Sequence, residues 1–265
     1  MTRIEEIKFL KTNCPLYKNG TSNRLIRHDF FKDIQTEIQA YLLGFIMSDG
    51  CINDERHTLS IHINNKDVEI FKYFKMISPD AYTQELKGTE SIATVRGKSV
   101  KNNSSIRLSI ASKILIEDLH KLGIVERKTY KELHIPNMPK KLIRHFFRGY
   151  FDGDGCFTYH AHKPNKANRE VNWTIKARVE ICAKTSTLLT EFQKWLSESF
   201  DISVNINYIK RDDMYSLCTS SKKNVEYLYH IMYDNSIFRL SRKYNKFNHY
   251  VNTEVTQLIA EYRNA

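Results

Sequence analysis

"GYFDGDGCF", residues 149–157, sets two acids and three glycines around the end of an apolar run, and "GFIMSDGCI", residues 44–52, repeats its outline. Read as helices, these segments carry small residues four apart, Gly44 with Ser48 and Gly149 with Gly153. Such a stripe lets two backbones approach more closely than leucines would allow. The repetition predicts two helices packed on each other about a pseudo-twofold axis; two ordinary core helices, each facing its own domain, is the plainer alternative. Asp49 and Asp154 fall at the last helical position, with Gly50 and Gly155 expected as left-handed caps. An acid at the negative end of a helix costs about 0.3–1 kcal/mol. Two acids brought together by paired helices would also push one pKa up unless a cation intervened. A hard divalent cation relieves both penalties, because Mg²⁺ takes carboxylates, carbonyls, water and phosphate together. Acids that merely cap lysines at a helix crossing are the other reading.

The repeat extends beyond the motif. "FFKDIQTEIQAYLLGFIMSDGCI" and "PKKLIRHFFRGYFDGDGCF" read as helices ending at the glycine. Alternating stretches follow from Thr58 and Thr174, then amphipathic helices "VEIFKYFKMI" and "LLTEFQKWLSESF". "SIATVRGKSV" and "SSIRLSIASK" are the next expected strands of the first half, "SVNINYIKR" and "MYSLCTSSK" those of the second. Late helices open alike at "SKILIEDL" and "SKKNVEYL", and each half closes on Arg-Lys, at Arg127-Lys128 and Arg242-Lys243. The expected organisation is an extension over 1–28, a first half over 29–133, a linker over 134–141, a second half over 142–250 and a C-terminal helix or tail over 251–265. The extension reads equally as a DNA-contacting arm or a surface addition.

"LLGFIMSDG" at 42–50 and "FRGYFDGDG" at 147–155 resemble the two LAGLIDADG motifs of a single-chain homing endonuclease, over roughly residues 30–250. The resemblance implies an α+β fold: two pseudo-symmetric αββαββα halves, saddle-shaped antiparallel sheets on the DNA major groove, and a central interface of two motif helices around Gly44 and Gly149. It places metal on Asp49 and Asp154, with the carbonyls of Ser48 and Gly153 as further contacts. The motif's earlier acid survives as Asp152 but is Met47 in the first copy. Lys128 and Lys243 match the family's late basic residue and are the expected catalytic lysines. Asn64 or Lys66, and Lys184, match polar positions at the end of the second strand. The implied reaction is Mg²⁺-dependent hydrolysis of both DNA strands across the minor groove of a long asymmetric target, leaving 3′ overhangs, with Mn²⁺ able to substitute. A monomer, with no small-molecule cofactor, is expected.

Composition agrees with a polyanionic partner. Lys plus Arg number 41 against 30 acids in 265 residues, a formal charge of +11, which favours nucleic acid over a membrane surface; the resemblance makes that partner double-stranded DNA. The five cysteines form no C-x-x-C pair, so a zinc site is unsupported and a reducing compartment is expected. The start of the chain resembles neither a signal nor a transit peptide, and no apolar run reaches membrane-spanning length. The expected location is a bacterial or phage-infected cytoplasm, or an organelle matrix.

Strand alternation assigns the reading surface. Leu59, Ile61 and Ile63 point inward and leave Ser60, His62 and Asn64 outward; Ile175, Val179 and Ile181 leave Lys176, Arg178 and Glu180 outward. Arg suits guanine, Asn adenine and Glu cytosine in the major groove. Arg96, Lys98 and Arg107 extend the first surface, Asn205, Asn207 and Arg211 the second, and the basic stretch 160–173 is expected to reach flanking DNA. An RNA-splicing maturase and a non-catalytic DNA-binding regulator remain alternatives of the same fold. An intein-embedded enzyme would need a nucleophilic first residue and a terminal His-Asn, so a free-standing or intron-encoded protein is expected.

Overall fold

The computed structural model describes residues 2–20, 23–86, 92–95, 98–101, 104–163 and 172–264, with backbone only for 92–95, 98–101 and 264. The chain divides into one unit of residues 1–128 with 136–153 and another of 129–135 with 154–265.

In the first unit, α1 (Arg3–Asn13) starts from a capping box of Thr2 and Glu5. A short hairpin, β1 (Tyr17–Asn19) and β2 (Arg24–Ile26), follows. Polar contacts tie down α1 and the residues just after β2: the Glu6 carboxylate accepts from the amides of Glu37 and Ile38, and Arg27 donates to the carbonyls of Leu10, Cys14 and Met76. The first motif helix, α2 (Glu37–Asp49), begins at a second capping box, Thr36 with Gln39, so residues 30–35 stand outside the helix expected from Phe30. Glu37 through Met47 are all buried, the pattern of a helix enclosed on every side.

Gly50 then passes directly into β3 (Gly50–Asn53) with φ −76° and ψ 144°. Neither it nor Gly155 adopts the left-handed cap expected from sequence. Gly50 is small for another reason. A Cβ there would stand 2.6 Å from both the carbonyl oxygen and Cγ2 of Ile46, so the strand can leave the helix at this angle only from a glycine.

β4 (Thr58–Asn64) follows. A 3-10 turn over Asn65–Ile70 and the short α3 (Phe71–Phe74) replace the longer amphipathic helix expected there. Next come β5 (Tyr82–Leu86), β6 (Ile92–Val95), β7 (Lys98–Lys101), β8 (Ser105–Ala111) and α4 (Lys113–Lys121), the last capped by Ser112. The antiparallel sheet runs β3-β4-β8-β5. "SIATVRGKSV" is therefore not the third sheet strand; its described residues belong to β6 and β7, which pair with each other, and Tyr82–Leu86 takes the sheet position. This edge strand is mostly exposed and carries little apolar signal. The second motif helix, α5 (Ile143–Asp154), is buried from His145 to Asp152.

The second unit repeats the topology. It comprises β9 (Gly155–His162), β10 (Thr174–Ala183), α6 (Thr187–Phe200), β11 (Asn205–Ile209), β12 (Met214–Thr219), α7 (Lys222–Tyr233), α8 (Ser241–Asn252) and α9 (Val255–Asn264). Its sheet order, β9-β10-β12-β11, is that of β3-β4-β8-β5. Phe157 stacks on Phe247 at 3.9 Å, fixing α8 beneath β9. Among the described residues no helix is long and apolar enough to cross a membrane.

Candidate functional site

The two motif helices pack backbone to backbone. A Cβ on Gly44 would lie 2.0 Å from the Phe146 carbonyl oxygen, and one on Gly149 would lie 1.9 Å from that of Tyr41. These contacts are mates under one rule: position n of α2 corresponds to n + 105 of α5 (149 − 44 = 105). The expected close pairing of small residues is thus present, with a local twofold.

At the C-terminal end of α2, Asp49 is half-buried. Its Oδ2 would stand 2.8 Å from a Cβ placed on Gly153, and the Ser48 hydroxyl oxygen 1.8 Å from it. Gly153 therefore lets the end of α5 pack directly against Ser48 and Asp49, where any side chain would overlap the Ser48 hydroxyl. Lys128, in a 3-10 turn over Lys128–Tyr130 and only 7% exposed, turns its ammonium inward. Its Nζ donates to the Ser48 carbonyl at 3.2 Å and to the Gly50 carbonyl. The Ser48 carbonyl expected to face a metal is thus also a lysine acceptor.

The second unit repeats this junction. Asp154 is exposed at the end of α5, and Lys243 of α8 donates from Nζ to the Gly155 carbonyl at 2.6 Å. Gly50 and Gly155 are equivalent positions. The two lysines singled out from sequence therefore make the same contact, each at the residue after a motif acid.

The donors at these junctions are carboxylate and carbonyl oxygens, a set that suits a hard cation such as Mg²⁺ or Mn²⁺. Among the described residues no three His, Cys, Asp or Glu side chains cluster to hold a metal unaided. Water and a phosphate oxygen would have to complete the coordination.

The outward faces are more interlinked than expected. On the first sheet Ser60 hydrogen-bonds Ser109 at 3.2 Å, His62 meets Ser105 at 3.1 Å, and Arg107 donates to Gln84 at 2.6 Å. Asn64 accepts from the Lys66 amide and starts the following turn, leaving the Lys66 side chain exposed. Arg96 lies outside the described residues, and of Lys98 only its place in β7 is described.

On the second sheet Lys176 and Arg178 are exposed, cross-strand from His160 and Thr158. Arg178 donates to Glu180 at 2.8 Å, and Ser216 donates to the same carboxylate. Burial pushes the Glu180 carboxyl up, but these two donors outweigh it and hold it below its usual range. Asn205 and Asn207 are exposed on β11, and Arg211 pairs with Asp212 at 3.0 Å. Lys184 donates to the carbonyls of Asp212 and Asp213, bracing the β11–β12 turn. Of the basic stretch 160–173, residues 164–171 lie outside the described residues. Tyr82, Gln84, Ser105, Ser109 and Thr158 share these faces and were missed, because period-two alternation marks a face only where its apolar partners are strong.

A polar network at the opposite end of the helix pair was also missed. Arg148, fully buried, donates to Glu37 at 2.7 Å and meets His145 Nδ1 at 2.9 Å. Burial, then the charge of Arg148, pushes the His145 pKa down to about 2. Burial raises the Glu6 carboxyl to about 7, against the pull of its two amide donors. Between the ends, Tyr41 donates to Asp152 at 2.8 Å, and burial followed by the Asp152 charge raises the phenol well above its usual range.

This architecture is that of the LAGLIDADG meganucleases. Solved structures of three of them align over most of both chains. I-AabMI bound to uncleaved DNA matches with a TM-score of 0.55 at 14% identity, over 84% of this chain and 96% of its own. I-SmaMI bound to uncleavable DNA gives 0.56 at 12%, over 86% and 96%. I-CpaMI bound to uncleaved DNA gives 0.55 at 13%, over 85% and 98%. Residues 147–253, most of the second half with its motif, match the LAGLIDADG endonuclease family model. No curated protein matches the chain significantly in sequence.

Proposed function

We propose that this protein is a site-specific homing endonuclease that cuts both strands of a long, asymmetric DNA target as a monomer. The observation that carries the reading is the doubled junction: a motif acid followed by a glycine whose carbonyl is held by a lysine ammonium, once in each half. The match of residues 147–253 to an endonuclease family, the excess of basic residues and the fold shared with DNA-bound meganucleases support it.

In this reading Asp49 and Asp154 hold the divalent cations, with the Ser48 and Gly153 carbonyls as neighbouring donors. A bound cation would supply Lewis acidity to activate water and stabilise the leaving 3′ oxygen. Lys128 and Lys243 fix each helix–strand junction and set a positive charge where the phosphorane develops negative charge. The outward rows from Ser60 to Asn64 and from Lys176 to Glu180 read bases in the major groove, the two sets differing because the half-sites differ. Cleavage across the minor groove leaves 3′ overhangs. The five cysteines are free thiols, two of them exposed, which supports action in a reducing compartment that holds DNA, a bacterial or phage-infected cytoplasm or an organelle matrix.

The test is cleavage of a target recovered from a randomised duplex library in Mg²⁺. Asp49→Asn and Asp154→Asn should each abolish double-strand cleavage while DNA affinity stays within about tenfold, roughly 1.4 kcal/mol. Undiminished cleavage by both variants would overturn the assignment; tight binding without cleavage by the unmodified chain would favour the regulator.

A further inference from the structure

The helix pair is symmetric in backbone but not in chemistry. On one flank α2 supplies Glu37 and Tyr41, and α5 answers with Arg148 and Asp152, joined by the 2.7 Å ion pair and the 2.8 Å hydrogen bond. Arg148 also lies over the Tyr41 ring at 5.2 Å. The 105-residue correspondence carries Glu37 to Leu142, Tyr41 to Phe146, Arg148 to Leu43 and Asp152 to Met47. The symmetry-related flank is therefore wholly apolar, and those four side chains are all buried.

We propose that this division of one interface into a polar and an apolar flank is a pairing code: the α2 face docks an α5-type helix and rejects a second copy of itself. A like pair would keep the twofold and the glycine contacts but mismatch both flanks. Two α2 helices would set Glu37 and Tyr41 against Leu43 and Met47, twice over. Two α5 helices would strand Arg148 and Asp152 against Leu142 and Phe146, also twice. Stranding a buried charge is far costlier than replacing the whole pair by apolar groups. The glycines set how closely the helices approach, whereas the four polar groups decide which helix is accepted. Small-residue stripes alone would leave every copy of this chain competent to pair with every other through either helix. Because the proposal concerns the interface rather than the chemistry, it stands or falls apart from the nuclease reading.

The test uses the full chain. Glu37→Leu/Tyr41→Phe recreates the flank of an α5 like pair, and Arg148→Leu/Asp152→Met that of an α2 like pair. Each should lower the melting temperature by about 10 °C or more, or prevent folding. The fourfold variant, apolar on both flanks, should recover at least half of that loss. Two differently tagged full-length chains, co-expressed, should show no cross-links between two α2 or two α5 helices with the native interface but should show them when both carry all four substitutions. Recovery of stability together with new like-helix cross-links establishes the code. A fourfold variant no better folded than the twofold ones, native chains that already cross-link through like helices, or fourfold chains that still do not, would each overturn it.

Discussion

The two ends of the α2–α5 pair carry acids of the same kind put to opposite uses. At the N-terminal end of α2, Glu6 and Glu37 are buried and spent, one on two backbone amides and the other on Arg148. Roughly 18 Å away along the helix, Asp49 sits half-buried beside small residues and lysine-held carbonyls. An acid at a helix N-terminus is favoured by the dipole, and one at the C-terminus is opposed by it. The fold thus buries Glu6 and Glu37 where the helix field helps and sets Asp49 against that field, at the position proposed above for a cation and phosphate.

The largest expected contrast comes from removing one charge at each end. Asp49→Asn should cost more than about 10³-fold in cleavage, roughly 4 kcal/mol of barrier, yet shift folding stability by no more than about 1 kcal/mol. Glu37→Gln should do the reverse, lowering stability by about 3–5 kcal/mol because Arg148 is left buried without its carboxylate. Cleavage kinetics and urea melts on both variants decide it. Comparable stability losses at the two ends would erase the distinction.

Lys128→Met probes the proposed catalytic end further. It should lower the cleavage rate by about 10²–10³-fold, and Lys243→Met should match it. Single-turnover cleavage checks both; a normal rate in either would separate the two junctions that geometry makes alike. Midway along the pair, Gly44→Ala and Gly149→Ala should each cost about 3 kcal/mol or more, since the added methyl meets a backbone carbonyl and not a movable side chain. Equal losses in urea melts would confirm the local twofold; a tolerated alanine at either position would break it.

The geometry of the motif end was legible because its motif is repeated: Gly44 and Gly149, the two acids and both lysines could be aligned without knowing any distance. The glycine caps were misread, because Gly also follows a helix where the next strand must pass close to the last turn, as Gly50 does over Ile46. The far end was hidden. Glu6, Glu37, Arg148 and His145 are up to 142 positions apart (148 − 6 = 142), and a charged side chain is ordinarily a solvated one. One signal was available. Glu37 with Tyr41 and Arg148 with Asp152 lie four apart on helices whose equivalent positions are all apolar, and charge inside an apolar stripe on one copy alone asks for a partner on the other.

The smallest effect concerns pH at the far end, where two buried groups oppose each other. Glu6 is raised from its ordinary 4.5 to about 7, so between those values the folded chain holds more protons than the unfolded one. Its contribution to stability is complete below about pH 4.5 and is lost as pH rises to about 7. His145 is lowered from 6.5 to about 2, so its contribution is complete above pH 6.5 and is lost on acidification. Between pH 4.5 and 6.5 the two slopes, each at most about 1.4 kcal/mol per pH unit, have opposite signs and cancel. Glu6→Gln should therefore expose the histidine, giving a protein that weakens as pH falls from 6.5 to 4.5. His145→Gln should expose the acid, giving one that weakens as pH rises across the same window. Urea melts of the two variants and the unmodified chain at half-unit steps supply the comparison. Parallel pH profiles for all three proteins would show that these groups titrate in the folded chain as they do in the unfolded one, and that this end of the helix pair is not sealed.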